Sequence, residues 1–395
     1  MADHREVLVM SAVRTPIGKY GGGLAAVPPC DLAATMVREA VGRAGVEPSD
    51  VGHSVFGNVI HTEARDMYLG RVAAVNGGLP VETPAFTVNR LCGSGLQAIV
   101  SAAQAIALGD CDVAVAGGAE SMSRAQYWLP GLRWGQRMQD GVAVDAMVGA
   151  LTDPFDGYHM GVTAENVATE YGVSRADQDA LAAESHRRAA AATDAGYFKE
   201  QILPVQVPGR KGTVTVDADE HIRPGVTTDD LAKLRPAFSG DGTVTAGNAS
   251  GVNDAAAAVV LADREFAEHH GRSPLGRLVA YSHAGVEPRI MGMGPVPAVR
   301  KVLDRADLKV DDIDLFEVNE AFAAQALAVI RELGLPPERT NPNGSGVSLG
   351  HPIAATGTIL AVKALYELRR TGGRYALVTM CIGGGQGIAA IFERM

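Results

Sequence analysis

The stretch "VREAVGRAGVEPSDVGHSVFGN", Val37 to Asn58, aligns without gaps on "VRKVLDRADLKVDDIDLFEVNE", Val299 to Glu320. Val, Arg, Arg, Ala and Asp recur in place, and Val51 falls opposite Ile313, all at an offset of 262 residues. Self-similarity at one fixed offset marks a repeated unit. Nearly the same offset returns further on. "CGSGLQAIVSAAQAIALGDCDVAVAGG", from Cys92, and "HPIAATGTILAVKALYELRRTGGRYALVTMCIGG", from His351, share a plan of reactive side chain, small residues, helix, turn, strand and glycines. The second copy is a few residues longer. The chain is therefore expected to consist of two similar halves, each opening a buried helix with a residue capable of chemistry.

Short apolar runs fit this plan. "VLVM" (7–10), "SVFGNV" (54–59), "VAVAGG" (113–118) and "AAVVL" (257–261) alternate with helical patterns, and "RLVAYS" (277–282), "DLFEV" (314–318), "YALVTM" (375–380) and "IAAIFE" (388–393) repeat the rhythm. That alternation predicts an α/β fold. Between the halves, roughly 120 to 249, the text changes to "WLPGLRWGQRMQD", a polar helix "SRADQDALAAESHRRAAAA" and "PVQVPGRKGTVTVDADEHIRPG". This predicts an inserted excursion, partly helical and partly loop, on which binding residues are expected.

Composition narrows the function classes. A chain of 395 residues, 47% hydrophobic and with 47 glycines, can bury a large core. Its net charge of −10 argues against a nucleic-acid partner. Two small basic clusters, "GRKG" (209–212) and "KLRP" (233–236), could meet an anionic ligand or be solvated surface. The four cysteines, Cys30, Cys92, Cys111 and Cys381, form no CxxC pair and have no zinc-like spacing to His, so neither a disulfide framework nor a metal is expected. The start "MADHREVLVM" has no apolar signal core, and no uninterrupted apolar run approaches the ~18 residues of a membrane span. A cytoplasmic protein with no membrane partner is expected.

Cys92 stands in "NRLCGSGLQAIV" (89–100), just ahead of helically spaced Leu96, Ile99, Val100, Ala103 and Ile106, with Gly109 as the stop. Unpaired N–H groups at a helix start favour a thiolate, so Cys92 is a candidate nucleophile with a lowered pKa, and Gly93 and Gly95 would let a substrate come close. Two other readings stay open. Cys92 could be an inert packing residue. "GSGLQA" also matches a G-x-G-x-x-A dinucleotide cradle with Asp112 as its acid, although Asp112 starts a strand where that acid should end one. His351, in "GHP" before a helix, could exchange a proton with a thiol or be structural. "MCIGGGQG" (380–387) ends a strand in a second cysteine, Cys381, and glycines whose N–H groups could face an oxyanion or simply make a turn. Asn319 follows "DLFEV" and could orient water or cap a helix.

Together these pieces resemble the thiolases, and more closely the bacterial β-ketothiolases or acetyl-CoA acetyltransferases. The resemblance rests on "NRLCGSGLQA", "GGAESMS" (117–123), "YHMGVTAENVA" (158–168), "KLRPAF" (233–238), "TAGNASGVNDAAAA" (245–258), "MGMGPVPA" (291–298), "EVNEAFAAQ" (317–325), "NPNGSGVSLGHP" and "CIGGGQG". It implies a five-layered αβαβα sandwich of two duplicated halves, 1–119 with 250–274 and 275–395, with an inserted loop domain at 120–249. It implies that Cys92 carries the acyl group as a thioester, that His351 activates it, and that Cys381 moves the α-proton of the second acyl-CoA. Asn319, through a water, and His351 would form one oxyanion hole, and the N–H groups of Cys92 and Gly383 the other. Coenzyme A, as substrate or product, would lie against His159, Met160, Arg223, Phe238, Ala246, Ser250, Ala321 and Phe322. No tightly bound cofactor is implied, and a homotetramer built as a dimer of dimers is expected, with "WLPGLRWGQRM" as a possible assembly contact. One departure is "GHPIAATG", with Ala354 where the family has Gly; the extra methyl is expected to narrow the pocket or stiffen the turn while activity is retained. The competing readings are a degradative 3-ketoacyl-CoA thiolase, a silent acyl-CoA carrier on the same scaffold, and a nicotinamide dehydrogenase using "GSGLQA".

Overall fold

The computed structural model describes residues 5–209 and 212–395, so Arg210 and Lys211 of the basic "GRKG" cluster lie outside the described residues. In the first half the principal strands are β1 (Val7–Arg14), β2 (Val51–Gly57), β3 (Ala85–Val88), β4 (Val113–Ser121) and β5 (Asn253–Asp263). The second half supplies β6 (Gly276–Gly285), β7 (Leu315–Val318), β8 (Tyr375–Ile382) and β9 (Gln386–Arg394). The helices that place the site are α1 (Pro29–Ala44), α2 (Ser94–Leu108), α3 (Met160–Glu170), α4 (Arg175–Asp194), α5 (Pro295–Ala306), α6 (Ala323–Leu333) and α7 (Ile353–Thr371).

The duplication is carried through to topology. The first half orders its strands β1-β5-β4-β2-β3 and the second β6-β9-β8-β7. In both, the first two pairings are antiparallel and the third parallel. The place of β3 is taken in the second half by a single parallel bridge from Phe316 to Thr340. The offset read from the sequence also holds: a 3-10 turn at Pro48–Asp50 precedes β2, and its counterpart at Val310–Asp312 precedes β7. The halves join edge to edge through Leu8–Arg277 and Val9–Gly276, which makes one continuous sheet of the two.

Three hydrophobic clusters define five layers. Because side chains alternate across a strand, Ala114 and Ala116 of β4 face inward while Val113 and Val115 face outward. The inner cluster gathers α2, α7 and the inner faces of both half-sheets, including Val259, Leu261, Val378, Met380 and Ile388. A second cluster packs α1 outside the first half-sheet, and a third packs α5 and α6 outside the other. The order is α1, first sheet, α2 with α7, second sheet, α5 with α6. Nearly every position of α7 is buried, as befits a helix enclosed on all sides.

That enclosure explains a long apolar stretch of the chain. Over Leu91–Leu108 the chain reaches a mean hydropathy of 1.5 across 18 residues, enough by length and composition to cross a membrane. The apolar character serves the central layer instead, where α2 touches α7 and both half-sheets. Gly109 stops the helix in the left-handed conformation (φ 82°), where glycine is at no disadvantage.

The excursion between β4 and β5 touches both halves. Its hairpin Val205–Gly209/Gly212–Val216 contributes Val205, Val207 and Val216 to the outer cluster of the first half, and α3 contributes Met160, Ala164 and Val167 to that of the second. Arg14, fully buried at the end of β1, grips Asp219 of the excursion through two bonds of 2.7 and 2.9 Å and also reaches Gln201. A buried, two-pronged pair of this kind fixes geometry more than it adds stability.

A close approach between layers at the site is made without side chains. A Cβ on Gly118 of β4 would stand 2.1 Å from the Ala354 carbonyl oxygen at the start of α7. Gly118→Ala is therefore expected to destabilise the protein by roughly 1–3 kcal/mol through overpacking, read as a lower urea midpoint. An unchanged midpoint would show that α7 can move away freely.

Candidate active site

Cys92 lies on a tight turn between β3 and α2. Asn89 Oδ1 accepts the Leu91 N–H at 2.9 Å, Ser94 Oγ accepts the Arg90 N–H at 2.9 Å, and the Gly93 N–H donates to the Arg90 carbonyl at 3.0 Å. Leu91 is driven into the left-handed region (φ 45°), uncommon for a side chain of its size and a form of strain that gathers at functional sites. The turn delivers the thiol to a place where the backbone N–H groups of Gly383 and of Cys92 itself point at it.

Two expectations about this turn are overturned. Gly93 and Gly95 do not open room for a ligand. A Cβ on Gly93 would meet Ile382 at 2.6 Å, and one on Gly95 would meet the Ala354 carbonyl at 2.6 Å and the Thr358 N–H nitrogen at 2.8 Å. They exist so that α2 can touch α7 and β8, which leaves no space for a dinucleotide pyrophosphate, and Asp112 is held by Arg5 at 2.6 Å. Nor is the thiol acidic at rest. Burial pushes Cys92 up to about 11 against the pull of the two N–H groups, so the helix start does not outweigh desolvation.

His351 sits in the turn leading into α7 and is 6% exposed. Burial lowers it to about 4, so the imidazole is neutral near pH 7. Its Nδ1 pairs with Thr356 Oγ1 at 2.6 Å, and its Nε2 is buried with no protein partner. With Nδ1–H donating to Thr356, Nε2 presents a lone pair, the state needed to take a thiol proton.

Cys381 ends β8, fully buried, with its thiol raised first by burial and then by the proximity of Cys92. The two sulfurs are thus close enough to feel each other's charge. Asn319 follows β7, fully buried, and neither its Nδ2 nor its Oδ1 finds a protein partner. Buried polar atoms are nearly always paired, so an orphaned amide and imidazole nitrogen point to a task outside the fold. The structure brings Cys92, Gly383 and Cys381 together. His351 and Asn319 each present buried polar atoms with no partner among the described residues.

The residues expected to meet coenzyme A divide into groups. His159 caps α3, stacks on Phe238 at 4.8 Å, and Phe238 meets Phe322 edge-on at 6.1 Å. Met160 faces Gly383, its sulfur 3.5 Å from where a Cβ would be. Ser250 donates its N–H to the Ala321 carbonyl at 2.9 Å, beside an Ala249–Phe322 bridge. His159, Phe238 and Phe322 form an aromatic wall, and Met160, in the same apolar cluster, reaches Gly383. Ala246 is exposed on the neighbouring turn. Arg223 stands apart, lining a hollow of about 380 Å³ with Lys19, Tyr20 and His221. In "KLRP", Lys233 is paired with Asp230 at 3.1 Å on the surface. A larger hollow of about 1160 Å³, between β1, the end of α2 and β6, contains none of these residues.

Sequence reasoning passed over Leu91, Thr356, Asn253 and Glu120. The Asn253 Oδ1 accepts the His351 N–H at 3.0 Å, and Glu120 accepts the Ala354 N–H at 3.1 Å. Ala354, the departure from the family pattern, is fully buried in the first turn of α7, its carbonyl against Gly95 and Gly118. All four lie inside stretches already singled out, "NRLCGSGLQA", "GHPIAATG", "TAGNASGVNDAAAA" and "GGAESMS", but no stretch said what they touch.

Comparison with known proteins agrees with this geometry. The thiolase N-terminal domain matches residues 7–265 and the thiolase C-terminal domain residues 272–394. The chain is 67% identical over 392 residues to the beta-ketothiolase BktB of Cupriavidus necator, covering 99% of this chain and 100% of that protein. Among solved structures, the acetyl-CoA acetyltransferase of Bacillus anthracis superposes with a TM-score of 0.98 at 46% identity, covering 99% of each chain. The human mitochondrial 3-ketoacyl-CoA thiolase in complex with CoA gives 0.96 at 44% identity, covering 99% of this chain and 98% of that one.

The resting protonation states can be read directly. Alkylation of Cys92 by iodoacetamide in the free protein is expected to keep rising with pH beyond the ordinary thiol value of about 8.5, because the raised thiol ionises late. A rate that levels off below pH 8 would mean that the thiol is acidic after all.

Proposed function

The chain belongs to the thiolase family, and on that premise we propose that it is a β-ketothiolase, condensing acyl-CoA with acetyl-CoA and cleaving short-chain 3-ketoacyl-CoA with free CoA. The observation that carries the reading is the Cys92 thiol beneath two converging N–H groups, with Cys381 within reach of its charge. The neutral His351 and the unpaired Asn319 amide complete it.

In the first step the Cys92 sulfur attacks the acyl-CoA carbonyl while its proton passes to His351 Nε2. The N–H groups of Cys92 and Gly383 receive the negative oxygen, and the CoA thiol leaves with the proton returned from His351. A second acetyl-CoA then binds. Cys381 passes its own proton to His351 Nε2 and, as the thiolate, takes a proton from the α-carbon of that acetyl-CoA, while the protonated His351 with Asn319 holds the enolate oxygen. The carbanion attacks the Cys92 thioester, forming the new C–C bond and breaking the C–S bond, and the Cys92 sulfur takes back the proton from His351. Thiolysis is the same path reversed. Two thiols are needed because one is occupied by the acyl group when the carbanion forms.

The wall from His159 to Phe322 suits the apolar pantetheine arm, and Lys19 with Arg223 suits its anionic end. Along the chain we take 1–119 with 250–274 and 275–395 as the halves that hold the chemistry, and 120–249 as the CoA-binding insert. Its tip exposes Leu132, Trp134 and Met138, Trp134 by 90%, an apolar patch suited to contact between subunits and hence to the proposed homotetramer. We place the enzyme in the cytoplasm, with no tightly bound cofactor, supplying 3-ketoacyl-CoA for polyhydroxyalkanoate or acetoacetyl-CoA metabolism. Likeness to the human mitochondrial protein keeps a degradative, longer-chain role as the second reading.

CoA-dependent thiolysis of acetoacetyl-CoA and of C6 to C10 homologues separates these. The expected profile peaks at C4 to C6, and a peak above C6 would favour the degradative role. Cys92→Ser is expected to lose about 10³-fold or more in rate and to carry no acyl adduct on the Cys92 peptide. Parent-like cleavage by Cys92→Ser would remove the mechanism.

A further inference from the structure

The stretch "GGAESMS" carries a buried acid for which acyl transfer, as set out above, has no use. Glu120 ends β4 with no exposure. Its Oε1 accepts the Asn58 side-chain N–H at 3.2 Å and the Ile60 backbone N–H at 3.0 Å, and its Oε2 accepts the Ala354 N–H at 3.1 Å. The Val59 N–H also points at it. Every one of these partners is a donor. They come from both halves of the molecule: the Asn58–Ile60 segment follows β2, while Ala354 lies in the first turn of α7, three residues beyond His351.

The other end of the same turn is held in a similar way. Asn253, at the start of β5, accepts the His351 N–H at 3.0 Å and donates from Nδ2 to the Gly18 carbonyl at 3.0 Å. Gly350 makes this possible: its φ is 106°, and a Cβ there would stand 2.4 Å from the Asn253 amide carbon. His351 therefore belongs to the second half by sequence, but its backbone hangs from the first half, which also carries Cys92.

We propose that Glu120 is a positioning residue for acyl transfer: by tying the Asn58–Ile60 segment to the Ala354 N–H it fixes the first turn of α7, and with it the His351 imidazole, relative to Cys92. The inference rests on the acyl-transfer reading and adds a residue to it. Burial pushes the Glu120 carboxyl up and the converging N–H groups oppose that rise; with donors at both oxygens and no acceptor among these partners for an acid proton, the geometry favours the carboxylate. A side chain of this length that only accepts has no neutral isostere. Glutamine would turn an NH₂ toward either the Ala354 N–H or the Asn58–Ile60 pair, donor against donor, while filling the same volume.

The test uses full-chain parent, Glu120→Gln and Glu120→Asp proteins. Each is measured for the fraction of Cys92 that becomes acetylated by acetyl-CoA (intact mass), the rate of that acetylation, the KM for acetyl-CoA and the thermal midpoint. In Glu120→Gln, Cys92 is expected to reach full acetylation with KM within about threefold of the parent, but about 30- to 100-fold more slowly, the scale of a small misplacement of reacting groups. A lower midpoint and a smaller acetylated fraction, with the rate per acetylated site unchanged, would mean that Glu120 only stabilises the fold and would overturn the proposal. If Glu120→Gln does not accumulate as folded protein, Glu120→Asp decides. One methylene shorter, it must release one of its partners and is expected to show the same split, whereas a parent-like rate overturns the proposal. Absence of acetyl-Cys92 in the parent would remove the acyl-transfer reading itself, and Glu120's role with it, a result distinct from any difference among variants.

Discussion

Everything at the site depends on how closely α2 and α7 approach each other in the central layer. Packed helices usually keep their axes 8–10 Å apart, held off by side chains. Here the first turns meet backbone to backbone: a Cβ on Gly357 would stand 2.4 Å from the Leu96 nitrogen, and one on Gly95 2.6 Å from the Ala354 oxygen. Cys92 and His351 each stand two residues before the start of their helix. Contact between the helix starts therefore draws the proposed nucleophile of one half toward the proposed base of the other. The two sheets then clamp the helix pair from both sides, which is why α7 tolerates almost no exposure.

The same burial sets the electrostatics. In the resting protein both thiols are pushed up and the imidazole pushed down, so the site holds neutral sulfur and neutral nitrogen rather than a stored thiolate–imidazolium pair. What is arranged in advance is the set of donors: two N–H groups at the Cys92 sulfur and an unpaired Asn319 amide. Such a site gains little from charge at rest and much from charge that develops on substrate oxygens, where preorganised dipoles in a dry interior act most strongly.

The sequence discloses its architecture because duplication leaves a fixed offset, and Pro48–Asp50 and Val310–Asp312 fold alike at that offset. The candidate reactive residues were legible as a matched pair for the same reason, Cys92 and His351 holding equivalent places before α2 and α7. Three things were not. The glycines around Cys92 read as clearance for a ligand, since a string of letters does not tell which neighbour a missing Cβ makes room for; the neighbour is α7, more than 250 residues away in the chain. The helix start promised an acidic thiol, but desolvation depends on everything packed around the sulfur and exceeds that local effect. The holds on His351 by Glu120 and Asn253 span 234 and 98 residues of sequence, beyond any local pattern.

On the proposed mechanism the two sister units supply two kinds of chemistry, an acyl carrier at Cys92 and a proton carrier at Cys381, and that division can be measured without turnover. Parent and Cys381→Ala are each incubated with acetyl-CoA in D₂O. Deuterium entering the acetyl methyl group and acetyl on Cys92 are followed by mass spectrometry in the same samples. The account predicts that Cys381→Ala still acetylates Cys92 but no longer exchanges methyl protons. Exchange that persists without Cys381, or acetylation that vanishes together with exchange, would contradict it.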